Sequence, residues 1–258
     1  MNKFGKYFYT ICVYIFLYLP IAVVIIFSFN NASHSLVWQG FTFKWYGVLF
    51  HNSALLRVAG HSLLLGVLAA TCATTIGTLA AVSLFRYRFF GKKILHALIF
   101  ILILSPEIVM AISLLLLYSF LKIPLGFWTL LLAHTTLCIP FVAVTVYSRA
   151  TTLDTDIFEA AMDLGATDFT IFRKIIVPLL SPSIIAGWLL SFTLSLDDVI
   201  ISYFVTGPTF DILPLKIYSM VRLGIKPEVN ALCTLLLAFT LFVAIVSYRS
   251  IYKKKEPT

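Results

Sequence analysis

Three carboxylates stand in this chain where carboxylates are costly. Glu107 interrupts the apolar stretch Leu95 to Phe120, and Asp197 and Asp198 interrupt the stretch Ser181 to Phe204. Acids retained in such surroundings face a cavity, an opposite charge or backbone donors, because lipid offers them nothing. The chemistry open to them is the binding of a cation, shared with carbonyls and aromatic faces. Pro106, directly before Glu107, removes a backbone donor and is expected to kink its helix there, turning freed carbonyls toward a cavity. At helical rise Glu107 lies roughly 18 Å from Leu95, and Asp198 roughly 25 Å from Ser181. Both then fall in the far half of a hydrocarbon core roughly 30 Å thick. Glu107 and at least one of Asp197 and Asp198 are expected to line a path through the membrane or its outer gate, with Tyr203 beside them. Neighbouring helical residues point about 100° apart, so the two aspartates cannot face one pore equally. For either, capping a broken helix or pairing with a basic group of another subunit is the alternative.

A second set of acids, Asp154, Asp156, Glu159, Asp163 and Asp168, occupies the segment Arg149 to Leu180 between two apolar stretches. From Thr155 or Asp156 the run Asp-Ile-Phe-Glu-Ala-Ala-Met-Asp-Leu-Gly predicts a short helix, with acids at its positive N-terminal end and Gly165 as its stop. Ala161 and Gly165 share a face of small residues that lets another surface approach the backbone. Ile157, Phe158 and Leu164 are expected to serve as apolar anchors, which is what a docking helix requires.

The elements that carry these residues follow from composition. Of 258 residues, 60% are hydrophobic and 12% charged, and the mean hydropathy is +1.00. Ordinary globular domains are about half apolar at most. Six stretches each approach or exceed the roughly 20 residues that cross a bilayer: Phe8 to Phe29, Ser62 to Phe85, Leu95 to Phe120, Trp128 to Ser148, Ser181 to Phe204 and Asn230 to Tyr248. They are continuously apolar and do not alternate, so helices, not a closed barrel, are expected. The fold class is therefore all-α, one polytopic membrane domain over 1–258, with 149–180 as a loop within it.

Of the 19 Lys and Arg residues, 13 fall on the side of both termini, and the remaining 6 on the other. By the positive-inside rule both termini are cytoplasmic, and so is the acidic loop. Trp38, Trp45 and Tyr46, in the outer segment Asn30 to His61, suit an aromatic belt. Lys253 to Thr258 read as a solvated tail. The net charge of +8 forms no stripe along one element, which argues against nucleic acid. Cys12, Cys72, Cys138 and Cys233 are far apart in apolar stretches, and His34, His51, His61, His96 and His134 do not cluster, so no metal site is expected. No Gly-x-Ser-x-Gly elbow, His-Glu-x-x-His or Gly-x-x-x-x-Gly-Lys-Ser/Thr phosphate loop is present, and the chain is expected not to be an enzyme.

Glu159-Ala160-Ala161, then Gly165, then Ile175-Ile176-Val177-Pro178 resembles the EAA loop of binding-protein-dependent ABC importer permeases. The family's usual ending is Ile-x-Leu-Pro, and Val177 is a conservative departure. Further stretches, Trp38 to Thr42, Lys44 to Tyr46, Ser105 to Ser113, Leu194 to Val199, Phe204 to Pro208 and Ile212 to Met220, look like the polyamine permeases within it, where Asp stands at the position of Glu107. The resemblance implies a type I importer permease with a MetI-like fold in the bacterial inner membrane. Glu159, Ala160, Ala161, Gly165 and Pro178 would then belong to a coupling loop docked on an ATPase. Its implied partners are a second permease chain, an ATPase dimer and a periplasmic binding protein. ATP and Mg would be used by the ATPase, with no cofactor on this chain. The implied substrates are spermidine and putrescine, moved by alternating access. An ion-coupled transporter or channel would share the hydropathy but has no use for such a loop.

Overall fold

The computed structural model describes residues 3–32, 37–222 and 227–252; the tail 253–258, His34 and Lys226 lie outside them. Among the described residues the regular structure is helical, apart from one isolated bridge between Asn30 and Phe41. Among the described residues four helices are long and apolar enough to cross a membrane, and a fifth span results if two short helices separated by a sharp bend count as one. A shorter apolar helix covers Pro227–Val243.

The chain divides into two compact units, 1–59 with 215–246, and 60–214 with 247–258. The first unit contains α1 (Lys3–Phe27), α2 (Lys44–His51) and most of α12 (Pro227–Tyr252). No residue in the apolar window of α1 is buried, as suits a helix whose solvent is lipid. Beyond its C-terminal end Asn30 acts as a clamp. Its Nδ2 donates to the Val37 carbonyl at 2.7 Å, and its Oδ1 accepts from the N–H groups of Gln39 at 2.8 Å and Ala32 at 3.3 Å. Trp45 and Tyr46, expected in an aromatic belt, turn their polar ends inward. Trp45 Nε1 donates to the Asn30 carbonyl at 2.7 Å, and Tyr46 Oη meets Ser28 Oγ at 2.7 Å. Trp38 remains exposed.

In the second unit α6 (Phe127–Ala150) is the central helix, packed against α9 (Val177–Asp197). The core joins Ala73, Ala81 and Val82 of α3 (Ser53–Arg86) to Cys138, Val142 and Val146 of α6 and to Ile171, Ile176 and Leu180. Small residues permit this closeness. Val142 sits between two glycines: a Cβ on Gly77 of α3 would lie 2.8 Å from Val142 Cβ, and one on Gly187 of α9 would lie 3.2 Å from Val142 Cγ1.

Two expected spans differ from a straight helix. The third stretch, expected to kink at Pro106, is two helices, α4 (Lys92–Leu104) and α5 (Glu107–Phe120), at 112° to one another. Ser105 and Pro106 are both extended, with ψ of 132°; proline disfavours the helical conformation of the residue before it, so the bend reaches beyond a kink. The fifth stretch starts earlier than expected, as one helical run from Asp168 to Asp197. That run comprises α8 (Asp168–Ile171), a π turn (Phe172–Ile176) and α9. Within it the Val177 N–H bonds the Phe172 carbonyl, five residues back. A proline inside an α-helix collides with the carbonyl four residues earlier, and the wider π turn just before Pro178 relieves that collision. The run ends at Asp197, and α10 (Ile200–Val205) begins after the two intervening residues Asp198 and Val199.

Candidate functional site

The breaks after α4 and after α9 face one cleft of about 240 Å³, lined by Glu107, Leu137, Leu194, Asp197, Asp198, Val199 and Ile200. All three expected carboxylates thus meet at one place. Glu107 is the first residue of α5 and exposed, where an acid complements the positive end of a helix. Asp197 is the last residue of α9 and exposed. Asp198 is 7% exposed and spends its oxygens inside the protein. Its Oδ1 accepts from the Ile201 N–H at 3.2 Å, and its Oδ2 accepts from the Ser202 N–H at 2.8 Å and from Ser202 Oγ at 2.7 Å. These are the orphan donors that open α10, so Asp198 caps the broken helix. Tyr203 is 59% exposed and packs edge-to-face on Phe204; it is not among the residues lining the cleft.

His134, which no spacing in the sequence singled out, holds this arrangement from α6. Fully buried, it places Nδ1 2.8 Å from Ser195 Oγ and Nε2 2.9 Å from Ser202 Oγ, with Asp198 Oδ2 3.5 Å away. Since Ser202 Oγ gives its proton to Asp198, Nε2–H donates to Ser202 and Nδ1 accepts from Ser195. A neutral imidazole satisfies every member of that chain. The one available signal was that a polar ring in an apolar span needs a partner.

The acidic loop forms the expected short helix, α7 (Asp156–Asp163). Gly165 has φ of +82° and its N–H bonds the Met162 carbonyl at 2.8 Å, while the Ala166 N–H bonds the Ala161 carbonyl at 3.0 Å. This is the Schellman stop, whose left-handed residue favours glycine. Glu159, Ala160 and Gly165 are exposed and Ala161 is half-buried. Ile157 and Leu164 project outward, Leu164 being 89% exposed. Phe158, expected as a third outward anchor, instead points into the core, edge-on to Phe85. Arg86, at the end of α3, ties the loop down. Its Nη2 reaches Asp168 Oδ1 at 2.6 Å and Met162 Sδ at 3.9 Å, and its guanidinium lies over the Phe158 ring at 5.6 Å. Pro178 stands near the start of α9, behind the π turn. No group of three or more His, Cys, Asp or Glu able to hold a metal occurs among the described residues.

Residues 73–257 match the family described as the binding-protein-dependent transport system inner membrane component. The chain belongs to that family. It is therefore similar to permease components of ABC importers, which work in the inner membrane with an ATPase and a binding protein. It is 57% identical over 235 residues to the spermidine/putrescine transport system permease protein PotC of Escherichia coli K12, across 91% of this chain and 89% of that one. It is 43% identical over 241 residues to the putrescine transport system permease protein PotI of the same organism, across 90% of this chain and 85% of that one. Among solved structures, a chain of the bacterial alginate ABC transporter, in complex with an alginate-bound periplasmic protein, superimposes with a TM-score of 0.77. That match covers 99% of this chain and 96% of the other at 16% identity, a likeness of fold alone. The expected all-α importer-permease fold is borne out.

Proposed function

We propose that this chain is one of two permease subunits of a polyamine importer, carrying spermidine or putrescine into the cytoplasm when a partner ATPase dimer drives alternating access. The observation that carries the reading is the cleft where Glu107 and Asp197 meet at two broken helix ends. Carboxylates at a helix break pair naturally with the ammonium groups of a flexible cation. The names of the similar permeases support the same substrates. Glu107 and Asp197 contact the substrate, Asp198 holds α10 so that they can, and Tyr203, exposed beyond the cleft lining, stands further along the path.

Energy arrives in trans. The surface formed by Glu159, Ala160, Ala161, Leu164 and Gly165 docks on the ATPase, Pro178 sets the start of the helix that carries motion inward, and ATP and Mg are handled by that partner. Both termini lie on the ATPase side, and a periplasmic binding protein delivers the substrate to the other. The test is ATP-driven uptake of labelled spermidine and putrescine by the assembled complex in proteoliposomes. Glu107→Gln is expected to raise the substrate concentration for half-maximal uptake. Unchanged uptake and affinity would remove Glu107 from the path, and uptake of a different small cationic or polar solute alone would favour a permease for that solute.

A further inference from the structure

The turn joining α3 to α4 forms a basic concave surface that the transport reading leaves unused. A cleft of about 680 Å³ is lined there by Arg88, Phe89, Phe90, Lys92, Lys93 and His96, with Gly91 and Ile94 between them. None of the lining residues is acidic. Arg88 and Lys93 are exposed and make no ion pair among the described residues. Lys92 donates to the Tyr87 carbonyl at 3.1 Å, which leaves its charge uncompensated. The nearby acid Asp168 is already taken by Arg86 at 2.6 Å. In the middle of this positive rim Phe90 is fully exposed and Phe89 partly so. A bare phenylalanine flanked by unpaired cations is unfavourable in water, and suits the boundary where acyl chains meet charged headgroups.

We propose that this turn is a binding site for the phosphodiester headgroup of an anionic phospholipid, with Phe90 inserted beside the acyl chains. Arg88, Lys92 and Lys93 surround the phosphate, and the cleft has the volume of a small-molecule site. A basic residue close to an anionic membrane surface contributes about a fivefold change in binding, and three converging on one phosphate make a retained lipid instead of a passing one. The same chemistry would accept free inorganic phosphate, and lipid is favoured because a soluble anion gives Phe90 no reason to be exposed.

The experiment uses the whole importer complex in nanodiscs of phosphatidylcholine mixed with phosphatidylglycerol, followed by native mass spectrometry of the lipids it retains. The wild-type complex should keep phosphatidylglycerol selectively. Arg88→Gln with Lys93→Gln should lower that retention at least fivefold, Phe90→Ala should lower it without a change of charge, and Arg88→Lys with Lys93→Arg should preserve it as a control for folding. Equal retention in the charge-neutral variant would overturn the proposal, and so would parallel loss of phosphatidylcholine. Displacement of phosphatidylglycerol by inorganic phosphate would reassign the site to a soluble anion. Loss of the ATPase subunit with lipid retention intact would reassign it to a protein contact.

Discussion

Asp197 and Asp198 are adjacent in sequence and opposite in use. One is exposed on the cleft, while the other is consumed by the first turn of α10 and by Ser202. Their substitutions should therefore fail in different ways. Asp197→Asn is expected to reduce polyamine uptake about tenfold or more, the cost of losing a charge-assisted contact, while the thermal midpoint of the complex stays put. Asp198→Asn keeps a capping oxygen but removes the charge that Ser202 and His134 surround, and is expected to lower stability by about 1–3 kcal/mol, read in thermal or denaturant unfolding. A loss of stability in the first variant and none in the second would invert the assignment. From the sequence, the two aspartates could not face one pore equally, and capping a broken helix was open to either. Which of them turned inward depended on His134, which lies 61 positions from Ser195 and 68 from Ser202, and such separations carry no local pattern.

At the scale of elements, the legible features were those with a local cause. Continuous apolar runs announced the long helices, and the acid-rich start and the glycine stop of α7 fell where helix-end chemistry puts them. What stayed hidden came from packing at a distance. Phe158 looked like an outward anchor because its own helix offers two apolar faces; the end of α3, with Phe85 and Arg86, decides which one is covered. The fifth span starts ahead of its apolar stretch Ser181 to Phe204 because the π turn lets the helix run on through Pro178 from the charged segment before it. Arg86 makes the loop and α3 move together, so Arg86→Ala is expected to let ATP hydrolysis run several-fold ahead of uptake, measured as the ratio of ATP hydrolysed to polyamine delivered. An unchanged ratio would leave Arg86 a purely structural contact. Gly77→Leu should force α3 away from Val142, lowering stability by about 1–3 kcal/mol, the usual cost of overpacking a close contact. Thermal unfolding of the purified complex would show it.

For the whole molecule, the charge bias of the loops implies an orientation that labelling can check. A cysteine placed at Gln39 should react with a membrane-impermeant maleimide in intact spheroplasts, and one placed at Lys255 only after the membrane is opened. The reverse pattern would turn the chain over and move the Glu159 to Gly165 surface away from any ATPase. Whichever way the transport cycle runs, Val142 limits where it can bend. With α6 seated against Gly77 on one side and Gly187 on the other, α3, α6 and α9 are in close contact at the level of Val142 and are expected to swing together there like spokes fixed to one axle. Distance reporters placed among those three helices would stay silent through a whole turnover. The give in the mechanism is then expected at the breaks Ser105–Pro106 and Asp198–Val199, which flank the carboxylates themselves, so that the hinge and the grip would be the same few residues.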